Sequence, residues 1–505
     1  MRKLAGTAVL LGSTSLITLF LNFGIQLFLA HAFGAGPQMD AYVAAMTLPT
    51  LLTTVLVAAM GYVVIPAFVD SMTTRGADAT WTMSSTLFNG AAVLLIPAVA
   101  IMLAFARPLM RQIVPGLDET LLILAVDLLY WLLPSTILVV LNAILIALYQ
   151  AQHRFWQTAV APMLGALLLL GFAVLAAPFF GIRAVAMATF AGALGQFLFL
   201  LPVFRGHFRA VLIPTDPAVR TAGRLLLPLI AGGLVYRATI VADRVAISGL
   251  PQGSLSHVEY ASRIASVINM VFASAIAPAL YPHMSASAAT GDLHRLSETF
   301  VRGQRVLMLA LFPALAIGWV LRVPLLHVLF ERGEFRSSDT YAVAPILTWF
   351  MLGVIGGAMG ALQGRVYYVL KDTITPVILG IIETIAYFAY LPLLVASFGA
   401  VGVGMANAIY LLSALIASAF IVDGKLHSNC VNDLFVSGVA TLLLSAIAAA
   451  ATWAIARLLP NPWLSIGLGS LAGGACYLAL IALFRMRELR DLGFLARDDG
   501  ARHAQ

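Results

Sequence analysis

Three arginines lie inside apolar segments of this 505-residue chain, and their chemistry most needs an explanation. Arg237 and Arg244 are seven residues apart in one segment, so they share a helix face, and Arg263 lies in the next segment. An ionised side chain at bilayer depth costs about 2.5–3.5 kcal/mol, so such residues normally face a protein interior or a watery cavity. Guanidinium groups bind phosphate oxygens in a planar, bidentate way. The three arginines therefore predict a cavity that binds an anionic substrate.

Two acidic residues accompany these arginines and are candidate gate residues or charge partners. Asp243 could neutralise a neighbouring arginine, but one acid cannot neutralise three. Glu259 precedes Arg263 by four residues, the spacing of a Glu–Arg pair on one helix face. Ser256 and Glu259 also fit the capping box S-x-x-E, which predicts a helix beginning at Ser256.

Two further acids occur in otherwise apolar surroundings. Asp40 follows the turn G-A-G-P and opens the second apolar segment. It is either stabilised by the dipole of its own helix or acts as a gate or a cation contact at the outer mouth. Glu383 is a lone acid in an apolar segment, where it either couples transport to an ion or forms a hydrogen bond between helices.

The composition is that of an all-α polytopic membrane protein. The chain is 61% apolar and only 10% charged, with a mean hydropathy of +0.97, whereas soluble domains carry about 25% charged residues. A span needs about 20 mostly apolar residues. Fourteen segments satisfy this length: 7–33, 41–69, 80–106, 119–149, 155–179, 184–204, 222–248, 257–284, 303–329, 340–368, 374–397, 401–422, 433–456 and 463–484. The two cysteines, Cys430 and Cys476, support neither a disulfide framework nor a metal site.

The distribution of basic residues predicts the orientation in the membrane. With an even number of spans and both termini in the cytoplasm, 19 Lys and Arg residues fall on the cytoplasmic side and 7 on the outer side. This bias obeys the positive-inside rule. It also explains the net charge of +7 without a nucleic-acid partner.

The connections between spans predict two lobes. The longest cytoplasmic connection, 204–222, follows the sixth span and divides twelve spans into two sets of six. The hairpins at 34–42 and 249–260 each place an acid and then a tyrosine at the start of the next span, which favours a repeated transporter architecture. The predicted domains are an N-lobe (1–206), a C-lobe (207–425), two additional spans (426–486) and a basic cytoplasmic tail (487–505).

Four motifs resemble one known family. They are F-G-A-G-P-Q-M-D-A-Y-V-A-A-M-T-L-P (33–49), V-A-D-R-V-A-I-S-G-L-P-Q-G-S-L-S (241–256), Y-A-S-R-I (260–264) and R-V-Y-Y-V-L-K-D-T-I-T-P (365–376). From about residue 1 to 425 the chain resembles the MurJ (MviN) lipid II flippases, in the multidrug/oligosaccharidyl-lipid/polysaccharide exporter superfamily. The resemblance implies fourteen spans, alternating access by two six-helix lobes, and a groove for the polyprenyl tail on the last two helices.

The chain departs from the family pattern in its first two spans. Leu19, Ile25, Thr53 and Thr54 occupy positions where the family usually carries arginines. The N-lobe therefore lacks the cations of the family pattern, whereas the C-lobe keeps Arg244 and its neighbours.

The expected function is that of a flippase that carries a polyprenyl-pyrophosphate-linked glycan, lipid II, across the bacterial inner membrane. Two alternatives stay open: a flippase for exopolysaccharide or O-antigen units, and a scaffold for envelope-synthesis enzymes without transport. Cell-wall or polysaccharide synthesis enzymes are expected partners.

An enzyme is not expected. The chain contains no G-x-x-x-x-G-K-[ST], H-E-x-x-H or D-x-D motif, so we expect neither a cofactor nor a metal. No soluble stretch exceeds about 20 residues, whereas domains begin near 50.

Overall fold

The computed structural model describes residues 2–484, except the side chains of 2–11, 236 and 274–278. Sixteen α-helices account for most of the described residues, and no β-strand occurs among them. The predicted all-α class is confirmed. The predicted basic tail at 487–505 lies outside the described residues.

The helices follow one another with short connections. In chain order they are α1 (Arg2–Phe33), α2 (Pro37–Ala45), α3 (Thr47–Thr74), α4 (Ala77–Ala104), α5 (Ala106–Ile113), α6 (Glu119–Ala151), α7 (Phe155–Phe180), α8 (Arg183–Leu200), α9 (Pro217–Ile247), α10 (Ser254–Ala289), α11 (Leu293–Phe330), α12 (Ser337–Val369), α13 (Ile374–Phe398), α14 (Ala400–Leu426), α15 (Cys430–Leu458) and α16 (Pro462–Phe484). Pro37, Pro217 and Pro462 each occupy the first position of a helix, where the missing N–H would have no partner.

Thirteen spans long and apolar enough to cross a membrane occur in the described part of the chain. Helices α2 and α3 together make one of them, Pro37–Thr74. The predicted span at 257–284 falls on α10, part of which has no described side chains, so it is not among the thirteen. The observed helices therefore agree with the predicted spans in order and approximately in number.

Helix α5 has no counterpart among the predicted spans. Its eight residues are too few to cross a membrane, but they form an amphipathic helix. Met110 and Ile113 are buried, whereas Arg107 and Arg111 point outward and both bind Glu119 at the start of α6. These two ion pairs with one acid link the short helix to the start of a span.

The chain folds into two compact units. The first unit comprises residues 2–256 together with Arg332–Phe335, and the second comprises 257–331 and 336–484. The predicted lobes divide the chain at 206/207, on the basis of its longest cytoplasmic connection and an internal repeat. The compactness of these units does not test that division. The domain boundaries therefore stay a prediction.

Helix α6 is the centre of the first unit. It packs against α2, α3, α4 and α8. Leu128, Leu129, Leu132 and Leu133 lie on it and are fully buried. These leucines form one broad buried side of the helix, whereas Tyr130 and Trp131, on the opposite side, are 53% and 39% exposed.

Helix α12 has the same role in the second unit, where it packs against α11 and α14. Gly356 allows the contact with α14, because a Cβ at this position would overlap the backbone carbonyl of Leu411. Small residues at such contacts bring helix backbones together, which is the main way of packing helices where no water drives them to associate.

Helix α13 exposes an apolar face. Ile378, Ile381, Ile382 and Ile385 are all between 43% and 64% exposed. A continuous apolar surface of this kind is covered by lipid in a membrane protein, and it agrees with the predicted class.

Candidate functional site

Asp40 caps the N-terminus of α10. Its carboxylate lies in α2 and is only 3% exposed. Oδ2 accepts a hydrogen bond from the backbone N–H of Gly253 at 2.5 Å, and Oδ1 accepts from both the N–H and the hydroxyl of Ser256 at 2.8 Å. The first N–H groups of a helix have no partner inside it, and the helix dipole favours a negative charge there. A charge-assisted contact of this kind is strong for a hydrogen bond.

The predicted capping box between Ser256 and Glu259 is wrong. Helix α10 begins two residues earlier, at Ser254, so Ser256 lies inside its first turn. The hydroxyl of Ser256 donates to Asp40 and to the carbonyl of Gly253 at 3.0 Å. Gly253 precedes the helix and has no side chain to cap it, and the carboxylate from α2 takes that place.

The rest of the α9–α10 hairpin is held by the connection between α5 and α6. The Ser248 hydroxyl accepts from the N–H of Gly116 at 3.1 Å, and Nε2 of Gln252 donates to Oδ2 of Asp118 at 2.9 Å. A cavity of about 180 Å³ lies among these groups and Asp40.

The turn after α1 contacts a second segment of the first unit, Arg332–Phe335. The N–H of Glu334 donates to the carbonyl of His31 at 3.0 Å. Gly34 has φ +60°, and a Cβ there would overlap the carbonyl of Glu334, so only glycine fits this turn. The turn between α1 and α2, which precedes Asp40, is therefore held against Glu334.

Arg237, Asp243 and Arg244 all lie on α9, as predicted, and all three are partly buried. Helix α9 packs against α3 within the first unit, with Gly233 against Val55. Each of the three charged side chains takes part in at least one polar or electrostatic interaction.

Arg263 and Glu259 form the predicted ion pair on α10. Nε of Arg263 donates to Oε1 of Glu259 at 2.8 Å. The Arg263 side chain is 47% exposed and that of Glu259 is 14% exposed. The pair leaves part of the Arg263 guanidinium accessible.

The predicted arginines belong to different units. Arg237 and Arg244 are in the first unit and Arg263 is in the second. Their joint role in binding a substrate therefore stays a prediction, as do the roles of Asp243 and Glu259.

Glu383 lies on α13 and is 9% exposed. The hydroxyl of Ser413, on α14, donates to its Oε2 at 2.6 Å. This contact agrees with the expectation of a hydrogen bond between helices. It also leaves the carboxylate in a position to bind an ion, so the coupling role is neither supported nor opposed by it.

The two threonines at the family's arginine positions bind their own helix. Thr53 and Thr54 donate to the carbonyls of Pro49 and Thr50 at 2.7 Å each. Hydroxyls satisfied in this way add no cation to the surface of α3.

Sequence reasoning missed the residues that hold the α9–α10 hairpin. Ser248, Gln252 and Gly253 occur in the motif S-G-L-P-Q-G-S, which was predicted only as a connection between spans. The signal that could have identified them is the absence of a capping side chain at Gly253, directly before a helix.

Comparison with known proteins gives the family. The family model described as "Lipid II flippase MurJ" matches residues 29–476. A probable lipid II flippase MurJ of Vibrio cholerae is 28% identical over 323 residues, which is 61% of each chain. The lipid II flippase MurJ of Burkholderia cenocepacia is 25% identical over 382 residues, covering 72% of this chain and 74% of that one.

Solved structures show the same fold. A lipid II flippase MurJ in an inward closed conformation has a TM-score of 0.81 at 20% identity, covering 96% of this chain and 99% of that chain. A multidrug transporter of the MATE family in an inward-facing conformation has a TM-score of 0.70 at 16% identity, covering 83% and 98%.

These relatives are named as lipid II flippases. Their names do not favour the alternatives of an exopolysaccharide flippase, a scaffold or an enzyme. The family model covers most of the chain, including both hairpins that were singled out from the sequence. The chain therefore belongs to the lipid II flippase MurJ family.

Proposed function

We propose that this protein moves lipid II, the polyprenyl-pyrophosphate-linked precursor of peptidoglycan, across the bacterial inner membrane by alternating access. The observation that carries the proposal is the family match over residues 29–476. The aligned region spans 61% of the Vibrio cholerae relative, so the activity is proposed from the family and is tested below.

Arg237, Arg244 and Arg263 bind the pyrophosphate in this proposal. The support is chemical: a pyrophosphate is strongly anionic, and guanidinium groups in a water-poor cavity match its oxygens. The Arg263 side chain is 47% exposed, so a substrate can reach it. Asp243 and Glu259 act as charge partners that keep the arginines oriented while the cavity is empty.

Asp40 acts as a gate residue at the outer mouth. Its carboxylate holds the first turn of α10 through contacts to Gly253 and Ser256. Movement about the hairpins at 34–40 and 249–256 would have to break these bonds, and water or substrate would then reach the released N–H groups. The gate is therefore reversible, because the closed state depends on a few hydrogen bonds.

Glu383 is proposed as the residue for ion coupling. It is the acid in α13 that is nearly buried and accepts a bond from Ser413. Binding of a proton or a cation there would change the contact between α13 and α14 and so bias the conformational cycle.

The proposal also includes the domain boundaries predicted from the sequence, the cytoplasmic position of both termini and a partnership with cell-wall synthesis enzymes. The orientation is supported by the excess of basic residues in the loops assigned to the cytoplasm. The partners are supported only by the supply of lipid II on one side of the membrane and its consumption on the other.

Complementation tests the function. The chain is expressed in a bacterium depleted of its own lipid II flippase, and growth and lipid II accumulation are followed. Rescue is expected for the wild type and for Arg295→Ala, an exposed arginine of α11 outside the proposed cavity. Rescue is expected to fail for Arg244→Ala and for Arg263→Ala, made separately. Failure of the wild type at normal membrane expression would contradict lipid II as the substrate.

A further inference from the structure

The connection between α8 and α9 lies along α4. Its residues 205–216 are called the strap below. Four polar side chains of α4 contact the strap, and their spacing of three or four residues places them on one face of the helix. They are Asp78, Thr82, Ser85 and Asn89. The strap, α3, α4 and α9 all belong to the first unit. The strap is therefore docked over about three helical turns of α4.

Asn89 binds the backbone of the strap. Its Nδ2 donates to the carbonyls of Arg209 and Val211 at 3.0 and 2.9 Å. The N–H of Arg209 donates to the hydroxyl of Ser85 at 3.2 Å. Asn89 lies in the apolar span of α4, and at such a depth backbone groups outside a helix need partners from the protein. The strap therefore accounts for a polar side chain within this span.

Side chains of the strap add to this attachment. The Arg209 guanidinium donates to the Thr82 hydroxyl at 2.7 Å and forms an ion pair with Asp78 at 3.0 Å. The His207 ring stacks on Trp81 with 4.7 Å between the ring centroids. The ion pair is exposed and so contributes little energy. Together with the bonds to the backbone, however, these contacts fix the register of the strap on α4.

The last residue of the strap holds the N-terminus of α9. Asp216 accepts from Nη1 and Nη2 of Arg75 at 2.8 and 2.6 Å, and from the N–H of Ala218 at 2.8 Å. The Asp216 side chain is only 10% exposed. A bidentate contact between a guanidinium group and a carboxylate fixes direction as well as distance. Arg75 directly follows α3, so the start of α9 is tied to the end of α3.

Helix α9 buries few side chains that could fix its position. Among those that the structure describes in this helix, only Ala222 and Ile247 are buried. Buried side chains normally set the depth and rotation of a helix against its neighbours. Because they are scarce here, the contacts at the two ends carry more of that role. Ser248 holds the C-terminal end and Asp216 the N-terminal end.

We infer that Arg75, Asn89 and Arg209 are positioning residues for substrate binding. Through the strap they fix the depth and rotation of α9, which carries Arg237 and Arg244. The inference rests on the proposed function, in which these two arginines bind the pyrophosphate of lipid II. The three positioning residues act without touching the substrate, because each of them determines where the guanidinium groups of α9 point.

Distances between spin labels test the position of α9 without any substrate. Nitroxide labels are attached at Leu175→Cys on α7 and Val235→Cys on α9, two exposed positions of the first unit. The full-length protein is used, with alanine in place of Cys430 and Cys476. Pulsed electron paramagnetic resonance then measures the distribution of distances between the two labels.

Three single variants release the strap at separate points: Arg75→Gln, Asn89→Ala and Arg209→Gln. Each is expected to broaden or shift the distance distribution, so misfolding of one variant does not decide the result. Arg75→Lys keeps the charge without the bidentate geometry and should be intermediate. The control Arg220→Gln makes the same charge change at an exposed residue of α9 and is expected to leave the distribution unchanged.

The affinity of the purified protein for lipid II tests the consequence for the substrate. Arg75→Gln is expected to lower this affinity about fivefold, which corresponds to correct placement of α9 in about one fifth of the molecules. In a chain that already carries Arg237→Ala and Arg244→Ala, the same change should lower the affinity by less than about twofold. The effects are not additive, because Arg75 acts through the two arginines that have been removed.

Two outcomes would overturn the inference. One is a distance distribution that is the same in the three strap variants as in Arg220→Gln, which would mean that the strap does not position α9. The other is a fivefold loss of affinity that persists without Arg237 and Arg244, which would mean that Arg75 affects binding by another route. A wild-type protein that binds no lipid II would contradict the proposed function instead, and the distances would still decide whether the strap positions α9.

Discussion

Asp40 and Ser256 are 216 residues apart in sequence and joined by two hydrogen bonds at 2.8 Å. The carboxylate of one short helix thereby caps another helix that has no capping side chain of its own. Gly253 donates to the second carboxylate oxygen, so this one acid accepts from two backbone N–H groups at the start of α10.

Removal of this acid should release the first turn of α10. In Asp40→Ala, the N–H groups of Gly253 and Ser256 lose their acceptor, and an unsatisfied donor costs about 1–3 kcal/mol. Hydrogen exchange of these two amides is expected to speed up by about tenfold or more. Asp40→Asn keeps an acceptor oxygen without the charge and should be intermediate, whereas Asp70→Ala, at an exposed acid of α3, should leave these amides unchanged. Unchanged exchange in Asp40→Ala would contradict the cap.

Gly356 should tolerate no side chain. In Gly356→Ala the new methyl group would overlap the backbone of Leu411, and overpacking of this kind costs about 1–3 kcal/mol. A lower Tm in detergent is expected. Gly360→Ala, on the same helix, adds its methyl group to open space and should be neutral or slightly stabilising, since alanine favours helices over glycine. Equal Tm values for the two variants would show that α12 and α14 are not in this close contact.

The ion pair of Arg75 and Asp216 should make stability depend on pH in acid. The Arg75 guanidinium, with bonds of 2.8 and 2.6 Å, holds the pKa of Asp216 below its usual value, and the N–H of Ala218 adds to this effect. A lowered pKa in the folded state gives stability that is present above the unfolded pKa of about 3.9 and is lost as the pH falls through the folded pKa.

Thermal unfolding of Arg75→Gln measures this contribution. The variant is expected to melt at a lower temperature than the wild type at pH 7, by an amount that corresponds to less than about 1 kcal/mol for a pair near the surface. The difference should shrink below pH 4, as Asp216 gains a proton. Arg220→Gln, another arginine near the start of α9, should not show this pH dependence. A difference that persists unchanged in strong acid would mean that Arg75 stabilises by packing alone.

The ion pair of Glu259 and Arg263 allows a test of whether Arg263 binds the substrate or only stabilises the fold. Arg263→Ala removes a proposed pyrophosphate ligand and also leaves Glu259, only 14% exposed, without this partner. The double variant Glu259→Gln/Arg263→Ala also removes the charge of Glu259. If Arg263 binds the substrate, both Arg263→Ala and the double variant transport at least about tenfold more slowly than the wild type. A charge-assisted hydrogen bond is worth about 1.5–3 kcal/mol. Recovery of transport in the double variant would assign Arg263 a structural role instead.

The spans and the local ion pair could be predicted because each depends on nearby residues. Hydropathy over about 20 residues identified the span helices, and a spacing of four predicted the bond between Glu259 and Arg263. Helix α5 escaped prediction because its eight residues are too few for a hydropathy signal, although Arg107 and Arg111 repeat at a helical spacing.

The cap by Asp40 and the attachment of the strap could not be predicted because they join distant parts of the chain. Asn89 binds the carbonyls of Arg209 and Val211, but their order in the sequence contains no sign that they meet. Asp40 was singled out as an acid at a helix start, but its acceptor role toward Ser256 depends on where α10 begins. Contacts between distant parts of the chain can be identified only once the three-dimensional fold is known.

Exposure of lipid II at the outer surface tests the central claim most directly. Cells depleted of their own flippase and expressing this chain are treated with a membrane-impermeant reagent that modifies lipid II only from outside. The account predicts that the modified fraction returns to the level of undepleted cells with the wild type and stays low with Arg263→Ala at equal expression. A wild-type chain that reaches the membrane and leaves lipid II wholly protected would contradict the account.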